Sequence, residues 1–327
     1  MHLYATGGRQ RGSLFKRDHE WRLFEKALII RVDTATGNGE VCVEYDTPAE
    51  ARLDAGSSVC FKCAAIEGDR FYTCTSTEVL VYQLPSFRLV GYVSLPCFND
   101  LHHVTPTAEG SLLIVSTGLD LVVEVTETGQ VLREWSAVGE DTWARFSRET
   151  DYRKVPSTKP HKAHPNFVFQ LRGEIWVTRC DLRDAVCLTH PGPRIAIDIQ
   201  AIHDGSLFGS MIYFTTVDGN VAIVDQNSLK LIAAIDLKTI DNQEGVALGF
   251  CRGVLPLDEK RAWVGFTRIR HTQFQEKVVW VKHGFQDLED PTRLALYDIA
   301  ARTRLQEINL EPYGMNAVFS ILPEPSV

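Results

Sequence analysis

Three histidines sit in short, similar settings, "DLHHV", "KAHPN" and "AIHDG", as His102, His164 and His203. Neutral imidazole binds zinc, iron, copper or nickel, and three of them on one ion leave coordination positions open for water, dioxygen or substrate. Such a set also leaves the ion's charge uncompensated, which suits Lewis-acid chemistry on an anionic or chelating molecule. The same residues could instead line a channel, hydrogen-bonded to backbone and water. The choice turns on whether the fold brings residues so far apart in the chain to one point.

Composition narrows the setting. A chain of 327 residues that is 44% apolar can bury a large core. Its formal net charge of -8 argues against a broad basic face for nucleic acid, so small molecules or proteins are the expected partners. The segment "MHLYATGGRQRGS" lacks the apolar stretch of a signal peptide, and no run approaches a membrane span. Eight cysteines lie scattered through strand-like apolar segments rather than framing loops, which fits reduced thiols and a cytoplasmic location. Cys60 and Cys63, three apart in "SSVCFKCAAI", fall on opposite faces of a strand and do not form a joint site.

Helical periodicity is scarce, whereas short runs of Val, Ile, Tyr, Phe and Trp recur between turn signals such as "VDGN", "ETGQ" and "TGNG". One strand recurs six times: "LYATGG" (3 to 8), "FYTCTS" (71 to 76), "LIVSTG" (113 to 118), "IWVTRC" (175 to 180), "IYFTTV" (212 to 217) and "AWVGFT" (262 to 267). Each copy belongs to a four-stranded meander that cannot bury both faces alone, and radial stacking solves that. The first copy has no strand before it; "MNAVFSIL" (315 to 322) supplies one from the other end of the chain. The expectation is an all-β, six-bladed β-propeller, a single domain over 1–327, closed by N-terminal strands pairing with the C-terminal strand.

The first strand of a blade lines the central channel. Counting back from the fourth residue of each repeat puts Cys60, His102, His164, His203, Arg252 and Asn316 on one ring. Three consecutive blades thus present histidine at one level, and strand alternation turns His103 away from it. The chain resembles the broad class of six-bladed propellers that includes NHL-repeat proteins, gluconolactonase-like enzymes and the peptidyl-hydroxyglycine lyases. The lyases are similar in holding zinc with three histidines from different blades, which here implies His102, His164 and His203 as ligands. They are secretory and disulfide-stapled, as this chain is not expected to be. The carotenoid-cleaving oxygenases, with four histidines around iron in a seven-bladed ring, offer a second comparison in chemistry.

Around the ions, Arg252 would clamp a carboxylate or phosphate, with Asn316 beside it. Asp100, Asn166 and Asp204 could orient the imidazoles. Glu244 and His161 are candidates for acid-base work. Three insertions, 8–26, 136–163 and 268–291, should cap the channel, with Trp143, Arg153 and Arg268 lining a substrate pocket. The expected function is a metal-dependent enzyme with a zinc or iron centre acting on a small polar or anionic metabolite. Lewis-acid lyase or hydrolase chemistry is favoured over iron-dependent oxygenation because no redox-specific motif appears. The alternative is a non-catalytic interaction scaffold with histidines merely lining the channel.

Overall fold

Each of the six repeats forms the second strand of a four-stranded antiparallel sheet, and six such sheets make up the computed structural model. It describes residues 1–12, 20–190, 192, 194–241, 248–269 and 290–325. Blade 1 runs from Ala64 to Val93, blade 2 from Leu101 to Ser136, blade 3 from Pro165 to Ala196 and blade 4 from Ile202 to Asp236. Blade 5 runs from Phe250 to Asn309, and blade 6 joins Ala317–Pro323 to His2–Gln10, Phe24–Asp33 and Gly39–Tyr45. Each inner strand packs against the next and the last against the first, so the ring is a closed six-bladed β-propeller.

Strand composition follows position in the blade. The second strand of blade 2, Ser111–Ser116, is buried along its whole length, as apolar "SLLIVS" allows. The outer strand of blade 1, Arg88–Val93, is mostly exposed. The core lies between neighbouring sheets rather than in the channel. Tyr72, Val81 and Leu101 fill the gap between blades 1 and 2, and Trp263, Leu294 and Val318 the gap between blades 5 and 6.

The closing blade is pinned by Thr6 Oγ1 and Ser320 Oγ at 2.8 Å and by Glu324. The Glu324 carboxylate accepts from Tyr4 at 2.8 Å and from Nη2 and Nε of Arg31 at 2.8 and 3.0 Å. At Gly7 the two strands approach so closely that a Cβ would lie 1.8 Å from the Ala317 carbonyl oxygen. Gly7→Ala should therefore destabilise the fold by roughly 2–4 kcal/mol. Chemical denaturation checks this, and a variant as stable as the parent would contradict this account of the closure.

Candidate functional site

The inner strands do not run straight past the channel. In five blades the pairing to the second strand slips near the same level, leaving His102, Asn166, Gly205, Arg252 with Gly253, and Phe319 bulged. A bulge re-aims the side chains on either side of it. The single ring expected from counting residues is therefore two tiers. His164 and His203 stand two residues ahead of their bulges, level with Asp100, Phe250 and Ala317, whereas His102 and Arg252 sit at the bulges themselves. Asp100 and His164 hold left-handed backbone at φ 50 and 51, a strained conformation for non-glycine residues that often marks functional positions.

The ahead-of-bulge tier opens into a cleft of about 730 Å³ lined by Asp100, His164, His203, Phe250 and Ala317, and from the loops by His161, Lys62 and Asp181. Lys62 was not singled out from the sequence, and Cys60, counted onto the ring, precedes the inner strand of blade 1 and lines the cleft from the connection into that blade. The 136–163 insertion contributes the stretch from Val155 to His161, and the 8–26 insertion contributes Trp21, Leu23 and Phe24.

Hydrogen bonds to groups that can only accept, or only donate, assign the imidazole protons. His102 Nδ1 lies 2.9 Å from the Asp100 carbonyl oxygen and 2.8 Å from Thr117 Oγ1, whose own proton goes to the Pro165 carbonyl. The proton is thus on Nδ1 and the lone pair on Nε2. A relay fixes His164 in the same way. Thr158 donates to the Gly118 carbonyl and so accepts, at 3.5 Å, from His161 Nε2. His161 Nδ1 then accepts from His164 Nδ1 at 3.2 Å, and the lone pair of His164 falls on Nε2, which is buried with no partner. The rings of His102 and His164 meet edge to face, 5.1 Å apart.

His203 has the opposite arrangement. Asn166 Nδ2 lies 2.7 Å from both the Ile202 carbonyl and His203 Nδ1, so Nδ1 accepts and Nε2 carries the proton, 3.9 Å from Cys180 Sγ. Asn166 Oδ1 is buried without a partner. Asn166 thus orients the histidine of the next blade rather than its own neighbour, and Asp204 braces Thr215 and the Gly253 amide at 2.6 and 3.0 Å instead of any histidine. Among the described residues, no trio of His, Cys, Asp or Glu ligand atoms in the channel falls within 4.8 Å of one another. His103 packs its ring on Phe167 at 3.8 Å and accepts from the Val168 amide at 3.2 Å, between blades 2 and 3.

Arg252 lines the cleft with its guanidinium between the Phe250 and Phe319 rings, 4.4 and 4.7 Å from their centroids. Among the described residues it meets no carboxylate, and its buried Nε has no partner. Lys62 lies 4.7 Å over the same Phe319 ring and 3.5 Å from Asp100. Arg153 and Arg268 also line the cleft, but Asp151 and Glu311 neutralise them. Trp143 lies in a different furrow, donating to Glu134 at 2.9 Å beneath Arg148. Asn316 Oδ1 is used on the Gln10 amide at 2.9 Å, and its side chain does not line the cleft. Glu244, and residues 270–289 of the third insertion, lie outside the described residues.

The class these features define is a six-bladed propeller with a histidine- and arginine-lined channel mouth. No protein-family model and no curated protein sequence matches the chain. A crystal structure of a protein of unknown function from Bacteroides caccae is similar over 99% of both chains, with TM-score 0.60 at 14% identity. That likeness concerns the fold alone. A chain of the mitotic checkpoint complex matches 86% of this chain and 72% of its own at 8% identity, with TM-score 0.48, too distant to carry weight.

Burial pushes His103 and His164 down to about 3 and His102 and His203 well below the ordinary histidine value. All four are neutral in the folded protein near pH 7, and unfolding lets them take up protons once the pH falls below about 6.5. The stability gained from excluding those protons is whole above about 6.5 and is lost as the pH falls toward the native values, by roughly 1.4 kcal/mol per proton per pH unit. Denaturation in chelator should show stability level from about pH 7.5 to about 6.5 and falling from there to about 4.5. A flat profile would contradict the neutral assignment.

Proposed function

We propose that the channel mouth is the active site of a metal-dependent enzyme acting on a small anionic molecule. The observation that carries this reading is His164 Nε2: a buried, unpartnered lone pair whose orientation is fixed by the relay through His161 and Thr158 to the Gly118 carbonyl. Buried polar atoms are usually satisfied, and an imidazole lone pair left without a partner beside a second histidine ring supports a bound cation. His102 supplies a second Nε2 lone pair against the same ring. His203 completes the set as third ligand once its proton passes from Nε2 to Nδ1, a shift that requires Asn166 Nδ2 to leave Nδ1.

Zinc or iron suits this imidazole set, and when bound it supplies Lewis-acid polarisation of a substrate oxygen. Arg252 holds the anion: its planar fork, kept flat by Phe250 and Phe319 and lacking a counter-ion among the described residues, matches a carboxylate or phosphate. Lys62 lines the same cleft, with its charge shared with Asp100 at 3.5 Å. His161 is a positioning residue, keeping the His164 proton on Nδ1. Eight free cysteines support a reducing, cytoplasmic setting. Among the described residues, no helix is long and apolar enough to cross a membrane.

Metal analysis by mass spectrometry, on protein made without a polyhistidine tag, tests the reading. His164→Ala and His102→Ala should each lose one equivalent, and His161→Ala should weaken binding by about 10–100-fold. Equal metal content in the parent and His164→Ala would overturn it.

A further inference from the structure

A second set of ligating side chains lies on blade 3, and two of the three, Cys187 and His190, line a furrow distinct from the channel cleft. Cys187 ends the strand Asp184–Cys187, His190 follows it by three residues, and Glu174 begins the neighbouring strand Glu174–Arg179. The ligand atoms of these three residues all lie within 4.8 Å of one another. Among the described residues they are the only such trio.

Their hydrogen bonds converge on one atom. Glu174 Oε2 receives His190 Nδ1 at 2.7 Å, Cys187 Sγ at 3.8 Å and the Thr189 hydroxyl, while Cys187 Sγ is also 3.3 Å from Thr189 Oγ1. One carboxylate oxygen has two lone pairs, so three donors crowd it. A cation among the sulfur, nitrogen and oxygen removes that excess, because it replaces the protons that compete for the oxygen. Ligand atoms arranged tetrahedrally around zinc stand about 3.3–3.8 Å apart. The sulfur–oxygen distance already falls there, and the nitrogen–oxygen distance needs to open by less than about 1 Å.

We propose that Glu174, Cys187 and His190 form a divalent-metal site of the zinc type. Binding takes the Cys187 proton to solvent and forms one metal–thiolate bond. His190 binds through the Nδ1 lone pair with its proton on Nε2, and Glu174 supplies one oxygen. The His190 side chain is 70% exposed, so an ion can enter from solvent, and the fourth position is left to water.

Cobalt(II) titration of the full chain separates this site from the channel, because only a thiolate ligand produces the near-ultraviolet sulfur-to-cobalt charge-transfer band. The band should appear with the parent protein, persist in His164→Ala, and vanish in Cys187→Ser and in His190→Ala at the same cobalt concentration. Circular dichroism should show both blade 3 variants folded. No band in the parent, or a band that survives Cys187→Ser, would overturn the proposal.

Discussion

Thr6 and Ser320, 314 residues apart in the chain, share a hydrogen bond in the middle of the closing sheet. A meander of six sheets has two free edges until that pairing forms, and an open ring would leave the inner strands at unequal distances from the axis. Closure sets every inner strand against its neighbours. It is therefore what lets residues on separate blades, such as His102, His164 and His203, share one channel mouth. Gly7 and Glu324 belong to this constraint although neither lies near the cleft.

Within the closed ring, the repeated bulge decides which side chains enter the cleft. Without it, strict alternation would place one residue per blade at each level. With it, His102 and His164 come to different levels and meet edge to face, and Arg252 turns between two phenyl rings. The loops then specialise the site. His161, delivered by the 136–163 insertion, orients the proton of His164, and Lys62 brings a charge from the connection into blade 1.

Most of the fold was legible in the sequence because a propeller repeats one strand motif: all six copies are second strands, and "MNAVFSIL", 315 to 322, holds all but the last residue of the closing strand Ala317–Pro323. The histidines were legible as a group because they follow the same motif spacing. Their tiers were not, since a bulge adds a residue without leaving a sequence mark. Asn316 shows the same limit: counting places it on the ring, while its side chain braces the Gln10 amide. Trp143 and Arg153 were chosen for residue type, which says nothing of the local partners Glu134 and Asp151 that occupy them. Asp100 was expected to orient an imidazole, but it holds His102 through its backbone carbonyl, and Thr117, which was not expected, does so through its hydroxyl.

The chemistry proposed for the mouth rests on two imidazoles with Nδ1 protonated, the Nε2 of His164 buried without a partner, next to an arginine that makes no ion pair among the described residues. Each element is ordinary alone. Together they combine a ligand set for a cation with a receptor for an anion. The most direct measurement is diffraction from crystals of the full chain soaked in zinc, collected at the zinc absorption edge. The account predicts an anomalous peak about 2.0–2.1 Å from Nε2 of both His102 and His164. A channel mouth without such a peak, or with one bound to Nδ1, would contradict it.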